Sequence, residues 1–246
     1  MKKVENPSLI NNYFLKKKEL SDFDLEEKNI SAPPEDSISS DEYGFLEYVE
    51  IKLWSSFYYQ IAEIMTIAQK TDSILEVGKG TGILGGVLKE FGFSYESLDI
   101  NPNLRPVHIG SADNLPFRNE SFGLTCCFEV LEHLPYEKFS DSLNELFRVS
   151  NKAVIISLPN AKKIIPFYFW IPKIFRRKVF LPLPFYNPNN HITDPAHHWE
   201  INRAKLSFVE VKRTLSECAN KFGFRLERNY RFWENPYHHI FVFYKY

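Results

Sequence analysis

The stretch Ser73-Ile-Leu-Glu-Val-Gly-Lys-Gly-Thr-Gly82 constrains the fold more than any other part of the chain. A short run rich in Leu and β-branched residues reads as a buried strand, and it runs straight into Gly78, Gly80 and Gly82. Three side-chain-free positions there make a tight turn where a ligand can approach the backbone. An apolar helical pattern over 83–91 follows and is closed by Gly92. Further apolar runs at 95–100, 123–128 and 153–158 alternate with a helix over 136–149, in which Phe139, Leu143, Leu146 and Phe147 share a face. Strands alternating with helices in this way pack as βα units around a parallel sheet.

The flanks complete the expected domain. Upstream, Leu46, Val49, Leu53, Phe57, Ile61, Ile64, Met65 and Ala68 recur at three- and four-residue spacing and predict a core-facing helix. Downstream, Ser207 and Glu210 form a capping-box pattern before a helix with Val211, Leu215, Cys218, Ala219 and Phe222 inward and Gly223 as its stop. Residues 224–232 and 239–246 then read as two strands joined around Asn235-Pro236. The expected fold class is α/β, Rossmann-like. It has a mostly parallel sheet, a terminal antiparallel hairpin and helices on both faces. Residues 1–43, rich in Lys, Glu, Asp, Ser and Asn, read as a flexible arm, and 44–246 as one domain with an insertion at about 161–202.

Composition narrows the function. A hydrophobic fraction of 44% against 25% charged residues fits a packed globular core. A net charge of −1 supplies no global field for phosphate backbones, so no nucleic-acid partner is expected. The three cysteines lack CxxC spacing, which suggests neither a disulfide framework nor a zinc site. The amino-terminal residues lack the apolar core of a secretory signal, and the apolar run at 164–171 is too short to span a bilayer, so a soluble, cytoplasmic protein is expected.

Asp99 stands 23 residues beyond Glu76, at the end of the next expected strand, where a carboxylate can accept both ribose hydroxyls of a nucleotide-like ligand. ILEVGKGTG, LDINPN, ADNLPF and FEVLEHL, in that order, resemble the four motifs of class I S-adenosylmethionine-dependent methyltransferases, in particular ubiquinone-type and related metabolite enzymes. LPN at 158–160 resembles that family's fifth strand end. The resemblance implies a seven-stranded sheet and S-adenosyl-L-methionine as cofactor, with a contact set of Glu76, Gly78, Lys79, Gly80, Gly82, Asp99, Ile100, Ala112, Asp113 and Phe128. In that set the glycines wrap the methionine part and Asp99 holds the ribose. Ala112 and Asp113 flank the adenine, and Phe128 lies beside the methionyl group. Lys79 departs from the small or acidic residues usual at its place. Gly80-Thr-Gly82-Ile-Leu-Gly85 also satisfies the dinucleotide pattern GxGxxG, which keeps a nicotinamide oxidoreductase as one alternative. A non-catalytic binding module on the same fold is another.

The sulfonium methyl is already activated, so transfer asks for an in-line nucleophile held close and, for a poorly ionised acceptor, a base. His133 is the candidate base. Its plainer reading is a helix-terminal histidine bonded to backbone, with Glu129 and Glu132 bonding locally. Cys126 and Cys127 read as core. In the insertion, aromatics and prolines interleave with Lys173, Arg176, Arg177 and Lys178. That pattern suggests either a lid over a small-molecule or lipid-like acceptor, with peripheral membrane contact through residues 164–186, or an irregular packed subdomain. His191, His197 and His198 lack the spacing of a known metal site, and no metal is expected. Trp199 and Glu200 are placed at the pocket mouth or as anchors of the insertion.

Overall fold

A computed structural model describes residues 50–171, 175–190 and 194–246. The expected arm at 1–43, the helix positions Leu46 and Val49, and Lys173 and His191 lie outside the described residues. Helix α1 (Ile51–Ile67) leads into β1 (Ser73–Val77), α2 (Ile83–Glu90), β2 (Ser94–Asp99), β3 (His108–Ile109) and β4 (Phe122–Phe128). Helix α3 (Phe139–Val149), β5 (Ser150–Pro159), β6 (Ile164–Ile171) and β7 (Phe175–Pro182) follow, then α4 (Phe208–Lys221), β8 (Phe224–Arg231) and β9 (His238–Lys245). Seven strands form one sheet in the order β3-β2-β1-β4-β5-β9-β8. The first five pair in parallel, while β9 runs antiparallel to both β5 and β8. The chain order reverses beside β1, so the carboxyl ends of β1 and β4 border the crevice in which ligands of open α/β sheets bind.

Burial follows the pattern that parallel strands require. All seven residues of β4 are buried, because helices cover both faces of a parallel sheet. One core cluster joins α3 and α4 to the sheet through Phe139, Leu143, Leu146, Phe147, Val211 and Leu215. The other joins α1 and α2 to the opposite face through Ile64, Ile67, Leu84 and Leu88. Both bonds of the capping box at Ser207 and Glu210 are formed, and Gly223, at φ +75°, ends α4. Phe222 is only half-buried at that end. The α1 stripe also carries a buried charge: Glu63 accepts from Arg228 and from the Tyr230 hydroxyl.

Three features differ from the sequence reading. The helix expected from Tyr136 begins as a 3-10 turn, Tyr136–Lys138, because Pro135 sets an extended entry. Strand β3 is a two-residue edge, too short to leave a periodic trace. The insertion does not begin as an irregular subdomain: β6 and β7 form an antiparallel hairpin, with Phe167 opposite Val179 and Tyr168 opposite Lys178. Pro166 is tolerated because a two-stranded sheet has only edge strands. Ile165, Phe167, Phe169, Val179 and Leu181 lie on one face by register and are all exposed, and Tyr168 and Trp170 are exposed on the other.

Candidate cofactor and acceptor site

Strand β1 ends at Val77 and the chain turns at once. Gly78 donates its N–H to the Leu98 carbonyl at 2.8 Å, tying the turn to β2. Gly78, Gly80 and Gly82 all have positive φ, at +87°, +49° and +74°. That succession lies in the region L side chains rarely adopt. Gly78 has a second constraint: a Cβ there would overlap Val130 Cγ2, so the loop after β4 packs directly on the turn. Gly85 answers a similar need in α2, since a Cβ would overlap the Tyr95 ring and hold the helix off the sheet.

Asp99, buried at the end of β2, holds two loops. Its Oδ2 accepts from Gly80 N at 3.2 Å and its Oδ1 from Asn101 N at 2.9 Å. A carboxylate has about four acceptor positions, so two hydroxyl donors fit on the same group without displacing these bonds. Ile100 beside it is 70% exposed, an apolar side chain left uncovered next to the carboxylate. The cradle of glycines, the acid with spare acceptor capacity and the uncovered apolar surface fit a nucleoside carrying an amino-acid tail. Lys79 turns back across Gly82 and donates to the Leu104 carbonyl. Asp113 accepts from Ser111 Oγ and pairs with Lys138 at 3.1 Å, and the Ser111 bond holds its pKa below the usual carboxylate value. Ala112 and Phe128 are both buried in the core, so at position 112 only backbone is free to face a ligand.

Glu76 lies beneath the turn with its carboxylate bonded to the Tyr95 hydroxyl. Burial pushes its pKa up to about 8, against the lowering effects of Tyr95 and Lys79 and with a further upward push from Asp99. Cys126 of β4, also buried, faces it from the other side. The raised value means that the folded chain holds a proton that the unfolded chain releases near pH 4.5. Stability from this group is therefore complete below about pH 4.5 and is lost as pH rises towards 8. Glu76→Gln removes the titration. The unfolding free energy of the parent should fall relative to the variant by about 2 kcal/mol or more between pH 5 and 8.5. Parallel denaturant-unfolding curves across that range would contradict the assignment.

A second cluster lies beyond β4. Glu129 has φ +51°, a left-handed conformation that turns the chain into the 3-10 turn Leu131–His133. The returning end of the insertion is sewn to this turn. His198 N donates to Glu132 O at 2.9 Å, Trp199 Nε1 to Leu134 O at 3.1 Å, and His133 Nδ1 to Ala196 O at 3.3 Å. Trp199 thus anchors the insertion, packing edge-on against Tyr136 and Phe139. The result brings Glu129, Glu132 and Glu200 together with His133, His197 and His238. Burial pushes the Glu129 pKa up to about 8 and that of Glu132 well above the usual range. Burial and the neighbouring His197 lower the pKa of His133, the candidate base. The i, i+3, i+4 spacing of Glu129, Glu132 and His133 was visible in sequence, but their partners lie over sixty residues away.

Comparison with known proteins agrees with this geometry. Residues 47–229 match the family model described as a methyltransferase domain. Among solved structures, the PH0226 protein from Pyrococcus horikoshii OT3 is 15% identical with a TM-score of 0.55, over 85% of this chain and 100% of that one. The small RNA methyltransferase HEN1 is 14% identical with a TM-score of 0.56, over 78% of this chain and 25% of that one. The glycopeptide N-methyltransferase MtfA, solved with S-adenosyl-L-homocysteine, is 13% identical with a TM-score of 0.50, over 76% of this chain and 89% of that one. No curated protein matches the chain significantly. With three quarters of its length matched, this chain belongs to the methyltransferase domain family and is an S-adenosylmethionine-dependent methyltransferase of class I.

Proposed function

We propose that the enzyme methylates a small, apolar or lipid-like acceptor that enters between the turn after β4 and the β6–β7 hairpin. The observation that carries the reading is the exposed apolar hairpin face of Ile165, Phe167, Phe169, Val179 and Leu181, on the insertion that returns to the site through Trp199. A two-stranded hairpin is marginal on its own, and an uncovered apolar patch on a soluble chain is typically a contact surface. Arg177, opposite Phe169 on β7, adds a cation to that face, and Lys178 adds one to the other, which suits the headgroups of an anionic membrane holding a lipid-like acceptor. Among the described residues, no helix is long and apolar enough to cross a membrane, so any such contact would be peripheral.

In this reading the cofactor supplies an activated methyl on a sulfonium centre. The residues proposed to hold it are those around the β1 turn. Gly78, Gly80 and Gly82 leave room for the amino-acid tail, the Asp99 carboxylate accepts from the ribose, and Ile100 covers one face of the adenine. Asp113 accepts from its exocyclic amine, while Glu76 and Phe128 back the turn from beneath.

Replacing residues 164–182 by a short Gly/Ser linker should leave S-adenosylhomocysteine affinity within about threefold, since tenfold corresponds to 1.4 kcal/mol and the proposed cofactor contacts lie elsewhere. Turnover of an acceptor found by screening cell extracts should fall by more than about tenfold, along with binding to anionic vesicles. A folded deletion variant with parental turnover and vesicle binding would overturn the role of the hairpin.

A further inference from the structure

The cluster after β4 contains a carboxylate that no hydrogen bond among the described residues satisfies. Glu132 is fully buried, and neither of its side-chain oxygens has a hydrogen-bond partner. An ionised carboxylate taken out of water without partners costs several kcal/mol, so such a group is normally neutralised by a proton or by a cation. Its surroundings are arranged for a cation. One ligand atom each from Glu132, His133 and His197 lie within 4.8 Å of one another, and His197 Nε2 is 3.9 Å from Glu132 Oε1.

Both imidazoles are turned the right way. A carbonyl oxygen can only accept, so His133 Nδ1, at 3.3 Å from Ala196 O, carries the proton and its Nε2 keeps a lone pair. His197 Nδ1 lies 3.1 Å from Glu200 Oε1, and the Tyr237 hydroxyl donates to that same oxygen at 2.6 Å. That is the carboxylate–histidine relay by which proteins fix the tautomer of a metal-ligating imidazole. The backbone bonds from the 194–200 segment to the 131–134 turn hold the two sides together. His133 is exposed, which leaves an entry path and open coordination positions on the solvent side.

We propose that Glu132, His133 and His197 bind one divalent metal ion. Two imidazole nitrogens and one carboxylate oxygen suit the transition-metal class, typified by Zn2+, Fe2+ and Co2+. Ligand atoms around a tetrahedral ion at about 2.0–2.1 Å lie roughly 3.3 Å apart, so closure asks for side-chain moves of about an ångström. The site adjoins Val130, whose side chain packs on Gly78. An ion here would hold the oxygen or nitrogen of the methyl acceptor on an open position. That role rests on the methyltransferase reading, whereas binding of the ion does not. It revises two expectations from sequence: that no metal is bound, and that His133 acts as a base, since a ligated imidazole cannot take a proton.

The test is titration of tag-free, chelator-treated protein with Co2+. The expected result is one equivalent bound, with visible ligand-field bands of a nitrogen- and oxygen-ligated site. Affinity should weaken roughly tenfold or more in His133→Ala, His197→Ala and Glu132→Gln. His198→Ala, which changes an exposed neighbour outside the cluster, should bind as the parent does. S-adenosylhomocysteine binding reports the fold of each variant. Should a variant of a buried residue fail to fold, His133→Ala decides alone, because its ring is exposed. No Co2+ binding by the parent, or undiminished binding in His133→Ala, would overturn the proposal. Loss of S-adenosylhomocysteine binding by the parent would instead count against the cofactor reading and leave the metal result standing.

Discussion

Asp99→Ala should weaken S-adenosylhomocysteine binding at least about a hundredfold in calorimetry while leaving the chain folded. The variant would remove two charge-assisted bonds to ribose hydroxyls, each worth about 1.5–3 kcal/mol, and tenfold in affinity corresponds to 1.4 kcal/mol. It would also release the Gly80 and Asn101 amides that Asp99 holds at 3.2 Å and 2.9 Å, so the glycine turn loses its tie to the loop after β2. Asp99→Asn, which keeps an acceptor oxygen but not the charge, should fall between parent and alanine. Unchanged affinity in a folded Asp99→Ala would refute the ribose assignment.

Gly78→Ala should be strongly destabilising. A non-glycine residue in the left-handed region costs about 1–2 kcal/mol, and overpacking adds typically about 1–3 kcal/mol. Both apply here, because φ is +87° and the new Cβ would overlap Val130 Cγ2. Denaturant unfolding should therefore register a loss of about 2–5 kcal/mol, together with weaker cofactor binding. Placing the same change in a Val130→Ala background separates the two causes. The double variant should regain the overpacking part and keep the backbone part, a coupling that a double-mutant cycle measures directly. A loss below about 0.5 kcal/mol in Gly78→Ala would show that the turn relaxes and that the packing of Val130 on it is incidental.

What could be read from sequence divides by the range of the interaction. Strand β1, the glycine turn, α2 and Asp99 lie within 27 consecutive residues, and each carries its own signal: a β-branched run, three glycines, a helical stripe, an acid at a strand end. The capping box of α4 is likewise local, and both of its bonds are present. The pairing of β8 with β9 was legible as a terminal antiparallel pair, but the docking of β9 on β5 was not, because that register depends on partners about eighty to ninety residues apart. The β6–β7 hairpin was hidden by composition. Pro166 and an unbroken aromatic run obscure the alternation that marks a half-buried strand, and both faces of this hairpin carry exposed apolar groups. The Glu63–Arg228 pair and the cluster of Glu132, His133 and His197 were illegible for the same reason. A charged residue inside an apolar stripe, or a histidine in an insertion, acquires meaning only when the fold supplies a partner more than sixty positions away.

The assignment of the cofactor site to the β1 turn is tested most directly by an experimental structure of the protein bound to S-adenosylhomocysteine. The expected structure has both ribose hydroxyls on the Asp99 carboxylate, the amino-acid tail over Gly78 to Gly82, and the adenine against Ile100 with its amine towards Asp113. A ligand bound elsewhere, or bound at the turn with its ribose away from Asp99, would contradict it.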